Sequence, residues 1–318
     1  MLTLLLLLAG FILLIYGADK MVDGASSLAN KYNIPHIIIG LTIVAFGTSS
    51  PELVVNIIAS VNNNSEIVLG NILGSSIFNI LVILGLSALV YPLRVKSNTT
   101  WIEIPLSALS AILVLILAND IFLDGSTLNF IGRSEGIVLL CFFIVFLVYN
   151  LMVIKADNEP EEIEVNEYTK LKSTLFIVLG FAGLIIGGRL IVSSAVTIAE
   201  YLDVSDRIIA LTVLSIGTSL PELATSIIAA RKKNVDIAIG NVVGSNIFNM
   251  FLVLGTSTIV NPVKIESNTQ VDIMVNVLAS ILLFVLLFIG KKRHIERWEG
   301  CFFILIYAVY LGYLINTR

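Results

Sequence analysis

The chain has 318 residues, 57% of them hydrophobic and 13% charged, with a mean hydropathy of +0.97 and a net charge of −4. That composition excludes an ordinary soluble domain, and the weak, dispersed acidity gives nucleic acid no foothold. The apolar residues fall in runs of about twenty, the length that crosses a ~30 Å hydrocarbon core, so the chain reads as an all-α polytopic membrane protein.

The first run, 2–15, has no basic segment before it and no small-x-small cleavage site after it, so it is expected to be the first span and not a secretory signal. Ten spans are expected, at about 2–28, 35–60, 66–91, 101–118, 135–154, 172–199, 205–230, 236–260, 271–289 and 299–315. The longest connection, 155–172, carries six acidic residues and a proline. Its acids lack the spacing of a helix-loop-helix calcium loop, and it reads as a solvated linker. It divides the chain into 1–154, a linker 155–171, and 172–318. Cys141 and Cys301 lie in apolar runs without a CxxC context and read as packing residues, with no disulfide framework or structural zinc. His36 and His294 stand at span ends and are expected at the interface, as are Trp101 and Trp298.

The two parts are copies. Residues 40–99 align without a gap on 210–269, and 28 of the 60 pairs are identical. Each half holds five spans, an odd number, so the second copy must cross in the opposite sense. The result is an inverted-topology repeat, an architecture of secondary transporters with the site at the midplane between repeats. With the N-terminus outside, the inner loops collect 13 Lys and Arg and the outer loops 4. That bias puts both termini outside and the linker in the cytoplasm.

The chemistry sits in two duplicated segments. GTSSPE at 47–52 recurs as GTSLPE at 217–222, and GNILGSSIFN at 70–79 recurs as GNVVGSNIFN at 240–249. Each copy of the first places a carboxylate, Glu52 or Glu222, inside an apolar run, where a charge costs about 2.5–3.5 kcal/mol. Pro51 and Pro221 have no N–H for the carbonyls of Gly47 and Gly217, so helices 2 and 7 are expected to break there and to turn carbonyls towards protein or an ion. The same turn gathers Thr48, Ser49, Thr218 and Ser219 with the glutamates. In spans 3 and 8, Ser75 and Asn79 are four apart on one helix face, as are Ser245 and Asn249. Asn71, Asn241 and Asn246 could equally serve the backbone, and Glu66 and Asp236 are explained as helix N-terminal charges. Small residues at Gly70, Gly74, Gly240 and Gly244 offer faces for close helix contact. Broken helices 2, 3, 7 and 8 are thus expected to form the ion site. The donor set is all oxygen, which suits a hard cation such as calcium, and two glutamates balance one Ca2+ or two Na+.

At these residues the sequence resembles the sodium/calcium exchanger family of calcium:cation antiporters, over the whole chain and most closely its compact prokaryotic members. The resemblance implies that Glu52 and Glu222 are the central calcium ligands. It implies further sodium or calcium ligands at Thr48, Ser49, Thr218, Ser219, Ser75 and Ser245, with polar positions at Asn79 and Asn249. The backbone carbonyls of Ala45 and Ser215 correspond to sodium ligands. Spans 1 and 6 correspond to a long tilted pair that slides to alternate access. Several members carry aspartate where this chain has Asn249, so potassium dependence is not expected and the site has one negative charge fewer. Ser215 replaces an alanine of some relatives.

The expected activity is exchange of Ca2+ for Na+ in a prokaryotic inner membrane, by a chain that suffices as a monomer and needs no cofactor. Two other readings use the same residues: a Ca2+/H+ antiporter with the glutamates as proton sites, and a cation channel. An intramembrane hydrolase has no support, since no GxSxG, HExxH or matched Ser–His pair is present.

Overall fold

The computed structural model describes residues 2–123, 125, 128–156, 166–201, 215–289 and 292–317. Most of the acidic linker and the first part of the expected seventh span therefore lie outside the described residues. Among the described residues seven helices are long and apolar enough to cross a membrane, and eight if one bent pair counts as a span. A further helix of 21 residues, Arg297–Thr317, ends the chain.

Two helices form the centre. In the most apolar 18-residue stretch of Val235–Val260 94% of the residues are buried, and in that of Ser65–Val90 78%, against 28–44% in the other candidate spans. Such all-round apolarity suits a helix surrounded by other helices. The exposed side chains of the outer spans are Leu, Ile, Val and Phe, as on Leu2–Tyr32 and Arg133–Ala156, which is a surface for lipid. Cys141 and Cys301 lie on such outer surfaces.

Helix contacts are set by small residues. Leu2–Tyr32 packs along Lys170–Tyr201. At 31 and 32 residues these are about 46–48 Å long, more than a bilayer core is thick. Their seam repeats every seven residues: Gly10 meets Gly187, Gly17 meets Gly180, and Gly24 meets Ser173. A Cβ on these glycines would stand 2.6–3.0 Å from the facing carbonyl oxygens. The two halves also interlock, for Gly85 packs on Gly300 and Gly255 on Gly136. Close approach of this kind replaces the hydrophobic drive that lipid does not supply.

Two short antiparallel bridges tie loops of the two halves, Leu93–Arg94 with His294–Ile295 and Phe130–Ile131 with Val263–Lys264.

The expected break in span 2 is present. Helix His36–Thr48 and helix Ser50–Val61 are bent by 46° at Ser49. Spans 3 and 8 differ from expectation, because each is one continuous helix. No proline interrupts 65–90 or 235–260, so the hydrogen-bond ladder changes register instead of stopping. It does so in π-helical stretches, Asn79–Leu84 and Phe248–Val253, that begin at Asn79 and one residue before Asn249.

Candidate functional site

The two duplicated Gly-Thr-Ser segments form the same local structure. Ser49 has φ −84°, ψ 3° and Ser219 φ −89°, ψ 6°, a sparsely populated backbone region in which functional residues recur. Each serine caps a twelve-residue helix with proline near its start, Ser50–Val61 and Leu220–Arg231. Glu52 and Glu222 fall in the first turns of these helices, where the positive end of the helix dipole favours a carboxylate. The Gly47 carbonyl, which Pro51 cannot serve, takes a backbone N–H at the cap. It is therefore not left unpaired as the sequence suggests.

Span 8 lies against the first broken segment because its glycines permit it. A Cβ on Gly240 would stand 2.7 Å from the Ile37 carbonyl, and one on Gly244 2.8 Å from the Leu41 carbonyl. Gly70 and Gly74 have no neighbour within 4 Å among the described residues, and the segment matching 40–44, residues 210–214, lies outside them.

This packing creates reciprocal bonds. Thr48 Oγ1 donates to Asn241 Oδ1 at 3.0 Å, and its duplicate Thr218 Oγ1 donates to Asn71 Oδ1, the duplicate of Asn241, at 3.1 Å. Asn241 Nδ2 in turn donates to Ser226 Oγ at 2.9 Å and to the Glu222 carbonyl at 3.3 Å. Asn71 and Asn241 thus orient the threonines through side chains, a role the sequence left open. Asn79 Nδ2 donates to Asn246 Oδ1 at 3.0 Å, and Asn246 Nδ2 to the Ser76 carbonyl at 3.3 Å, which ties the two central helices together.

Glu52 and Glu222 are each 1% exposed. Ser49 Oγ donates to Glu222 Oε1 at 3.1 Å, so one broken segment reaches the carboxylate of the other. The two carboxylates interact electrostatically. Eight buried oxygens of the sequence-derived set have no hydrogen-bond partner among the described residues. They are both of Glu52, Oε2 of Glu222, Oγ of Ser75, Ser219 and Ser245, and Oδ1 of Asn79 and Asn249. Buried polar atoms are normally paired, so these oxygens are open to a ligand or to water. Ser75, Ser219, Ser245 and Asn249 are buried but make no hydrogen bond to either glutamate. The Ala45 carbonyl accepts the Ser49 N–H at 2.9 Å and lies 3.3 Å from the Thr48 hydroxyl, whose one proton is placed on Asn241 Oδ1, so a lone pair of Ala45 remains able to ligate. Ser215 opens the four-residue helix that ends at Thr218.

Among the described residues no three His, Cys, Asp or Glu side chains gather in one place. A cation at this site would therefore be held by two carboxylates and neutral oxygens, a donor set for a hard ion.

A sequence profile of the sodium/calcium exchanger protein family matches residues 2–152 and again 172–316. The chain belongs to that family. It is 32% identical over 341 residues to the sodium/calcium exchanger MaX1 of Methanosarcina acetivorans, covering 96% of this chain and 97% of the relative. It is 38% identical over 273 residues to the inner membrane protein YrbG of Escherichia coli K12, covering 82% and 81%. The solved structure of the sodium-calcium exchanger NCX_Mj soaked with Na+ and Sr2+ superposes with a TM-score of 0.84 at 33% identity, over 98% of both chains. Family and fold together describe a membrane cation exchanger, not an enzyme class.

Sequence reasoning missed several buried polar groups. Glu103 is 1% exposed and accepts from the Tyr149 hydroxyl at 2.6 Å, and Asp272 accepts from the Tyr310 hydroxyl at 2.8 Å. A carboxylate inside an apolar run was the available signal, as it was for Glu52. Lys232 joins Asp19 at 2.6 Å and Asp23 at 2.7 Å, which fixes the Leu2–Tyr32 helix to the end of Leu220–Arg231. His36, at the start of its helix, is buried, with ring nitrogens 2.7 Å from Asn30 Oδ1 and 2.7 Å from Asn234 Nδ2. Asp236 is more than a helix-start charge, since it pairs with Lys96 at 2.8 Å.

Proposed function

We propose that the chain is a secondary antiporter that exchanges Ca2+ for Na+ by alternating access. The reading rests on one observation: two buried glutamates come from duplicated segments, and three of their four carboxylate oxygens have no hydrogen-bond partner among the described residues. Glu52 and Glu222 bind the substrate ions, helped by hydroxyl and amide oxygens of Thr48, Ser49, Thr218, Ser219, Ser75, Ser245, Asn79 and Asn249, and by the carbonyls of Ala45 and Ser215. Both ions compete for these oxygens. Either load neutralises the carboxylates, and the neutral site then crosses between the two facing states, while the empty, doubly charged site resists desolvation. Sodium moving downhill thus drives calcium out. Any net charge moved adds about 2.3 kcal/mol per 100 mV.

The architecture that goes with this reading is ten spans in two inverted halves, 1–154 and 172–318, in a prokaryotic inner membrane. The termini lie outside, the linker 155–171 is cytoplasmic, and one chain forms the whole site.

Purified protein in sodium-loaded vesicles should take up calcium, while potassium-loaded vesicles should not. Uptake driven by an acid interior without sodium would replace Na+ by H+ as the coupling ion. Calcium flux that needs no counter-ion gradient would mark a channel. Glu52→Gln and Glu222→Gln should each abolish exchange in a folded, monodisperse protein, and normal transport by both would overturn the site.

A further inference from the structure

A cavity of ≈ 570 Å3 lies where the Leu93–Arg94/His294–Ile295 bridge meets the start of the helix Val235–Ile247. Arg94, Lys96, Lys233, Lys292 and Arg293 line it together with His294, against the single carboxylate of Asp236. Asp236 pairs with Lys96 at 2.8 Å, so the wall keeps four net positive charges.

The duplicated half supplies an internal comparison. The bridge Phe130–Ile131/Val263–Lys264 is built the same way. Ile265 N donates to the Asn129 carbonyl at 3.0 Å there, as Val95 N donates to the Arg293 carbonyl at 2.8 Å here. Through that register Lys264 stands for Arg94, Glu266 for Lys96, Asn63 for Lys233, Glu66 for Asp236, and Asn129 for Arg293. The same backbone construction thus carries one cation and two carboxylates on the other copy. The scaffold does not require the basic set.

Two of the cations also stand where the backbone disfavours them. Lys233 and Arg293 both have φ 60°, in the left-handed region, and the duplicate of Lys233 is Asn63 at φ 56°, the residue type that accepts this region most readily. A bias of Lys and Arg towards one side of a membrane accounts for basic loops. It does not account for three loops delivering cations to one cavity, two of them at unfavourable backbone positions.

We propose that this cavity binds a phosphate-bearing anion, supplied by the headgroup of an anionic phospholipid. The cavity has the size of a small-molecule site. It opens between span ends, with Tyr91 on its wall and with Trp298, 49% exposed, four residues from His294. Aromatic rings of that kind sit at headgroup level, and basic pockets between spans take lipid phosphates.

The test uses the full chain in phosphatidylcholine nanodiscs, titrated with phosphatidylglycerol or with inorganic phosphate, and reads the unfolding midpoint and the lipid retained in native mass spectrometry. The variant is Lys233→Asn with Arg293→Asn, which should fold at least as well because asparagine suits both positions. Arg231→Gln, an exposed cation outside the cavity wall, is the control. Phosphatidylglycerol should raise the midpoint of the parent and of the control. The double variant should bind it roughly 25-fold more weakly, about fivefold per basic residue removed. If inorganic phosphate alone protects the parent and the double variant loses that protection, the phosphate site stands and the lipid source is overturned. If phosphatidylglycerol protects parent and double variant alike, or protects neither, the proposal falls.

Discussion

Asn241 is the side chain on which the second half of the site hangs, and replacing it by leucine separates orientation from ligation. Asn241→Leu nearly keeps the volume but removes three hydrogen bonds, to Thr48, Ser226 and the Glu222 carbonyl. Thr48 keeps the Val44 carbonyl at 3.1 Å as an acceptor, so its hydroxyl stays bonded but turns away from Asn241. Ser226, fully buried, loses its donor. One net bond at about 1 kcal/mol and one orphaned buried group at about 1–3 kcal/mol give a stability loss of about 2–4 kcal/mol. Loss of a partner that orients a ligand weakens metal binding by roughly 10–100-fold. The assay is calcium uptake by proteoliposomes over a range of calcium concentrations, alongside thermal unfolding. The decisive measurement is the double-mutant cycle with Thr48→Val. If Asn241 acts by holding the Thr48 hydroxyl, the two losses in affinity are sub-additive, with a coupling of about 1 kcal/mol. Additivity within about 0.3–0.5 kcal/mol, the behaviour of independent sites, would refute the reasoning. Asn71→Leu with Thr218→Val should couple in the same way, because that pair is bonded at 3.1 Å.

Gly17→Val should lower stability by about 1–3 kcal/mol and slow transport, since its Cβ would stand 2.8 Å from the Gly180 carbonyl. Gly188→Ala is the contrast: no described atom lies within 4 Å of the new methyl, so thermal unfolding should move up by as much as the roughly 1 kcal/mol difference in helix propensity. Tyr149→Phe should cost about 1–3 kcal/mol in unfolding assays, because Glu103 loses the donor at 2.6 Å and its other oxygen has no partner among the described residues.

The parts of the site that the sequence made legible are those written twice. Glu52 and Glu222, with their Thr-Ser-Pro neighbours, stand out because a carboxylate in an apolar run is expensive and duplication removes chance. The bend at Ser49 followed from Pro51, a local and obligatory effect. The change of register in spans 3 and 8 did not show, because 79–84 and 248–253 read as ordinary apolar helix and nothing in a side chain marks a shifted backbone bond. The Thr48–Asn241 and Thr218–Asn71 bonds join residues 193 and 147 positions apart, and periodicity along one helix carries no information about which face meets which. Glu103 and Asp272 were overlooked for a different reason. Neither belongs to the duplicated motifs, and each is answered by a tyrosine on another helix, Arg133–Ala156 and Arg297–Thr317 respectively.

The reciprocal threonine–asparagine bonds make the site nearly two-fold in its supports, yet its oxygens are unequal. Ser49 holds one oxygen of Glu222, whereas neither oxygen of Glu52 is hydrogen-bonded and Ser219, the duplicate of Ser49, has no partner among the described residues. A second inequality lies between the central helices, where Asn246 stands in place of the duplicate Ser76 and engages Asn79. Two copies that were identical in bonding would present the same surroundings to both carboxylates. Here one carboxylate takes a hydrogen bond from the serine of the other copy, while the other takes none that closes among the described residues. For the alternating access proposed above, such a difference would distinguish the two exits in any one conformation. The asymmetry therefore resides in side-chain bonds, which can be remade, and not in the duplicated backbone turns at Ser49 and Ser219, which are the same in both copies.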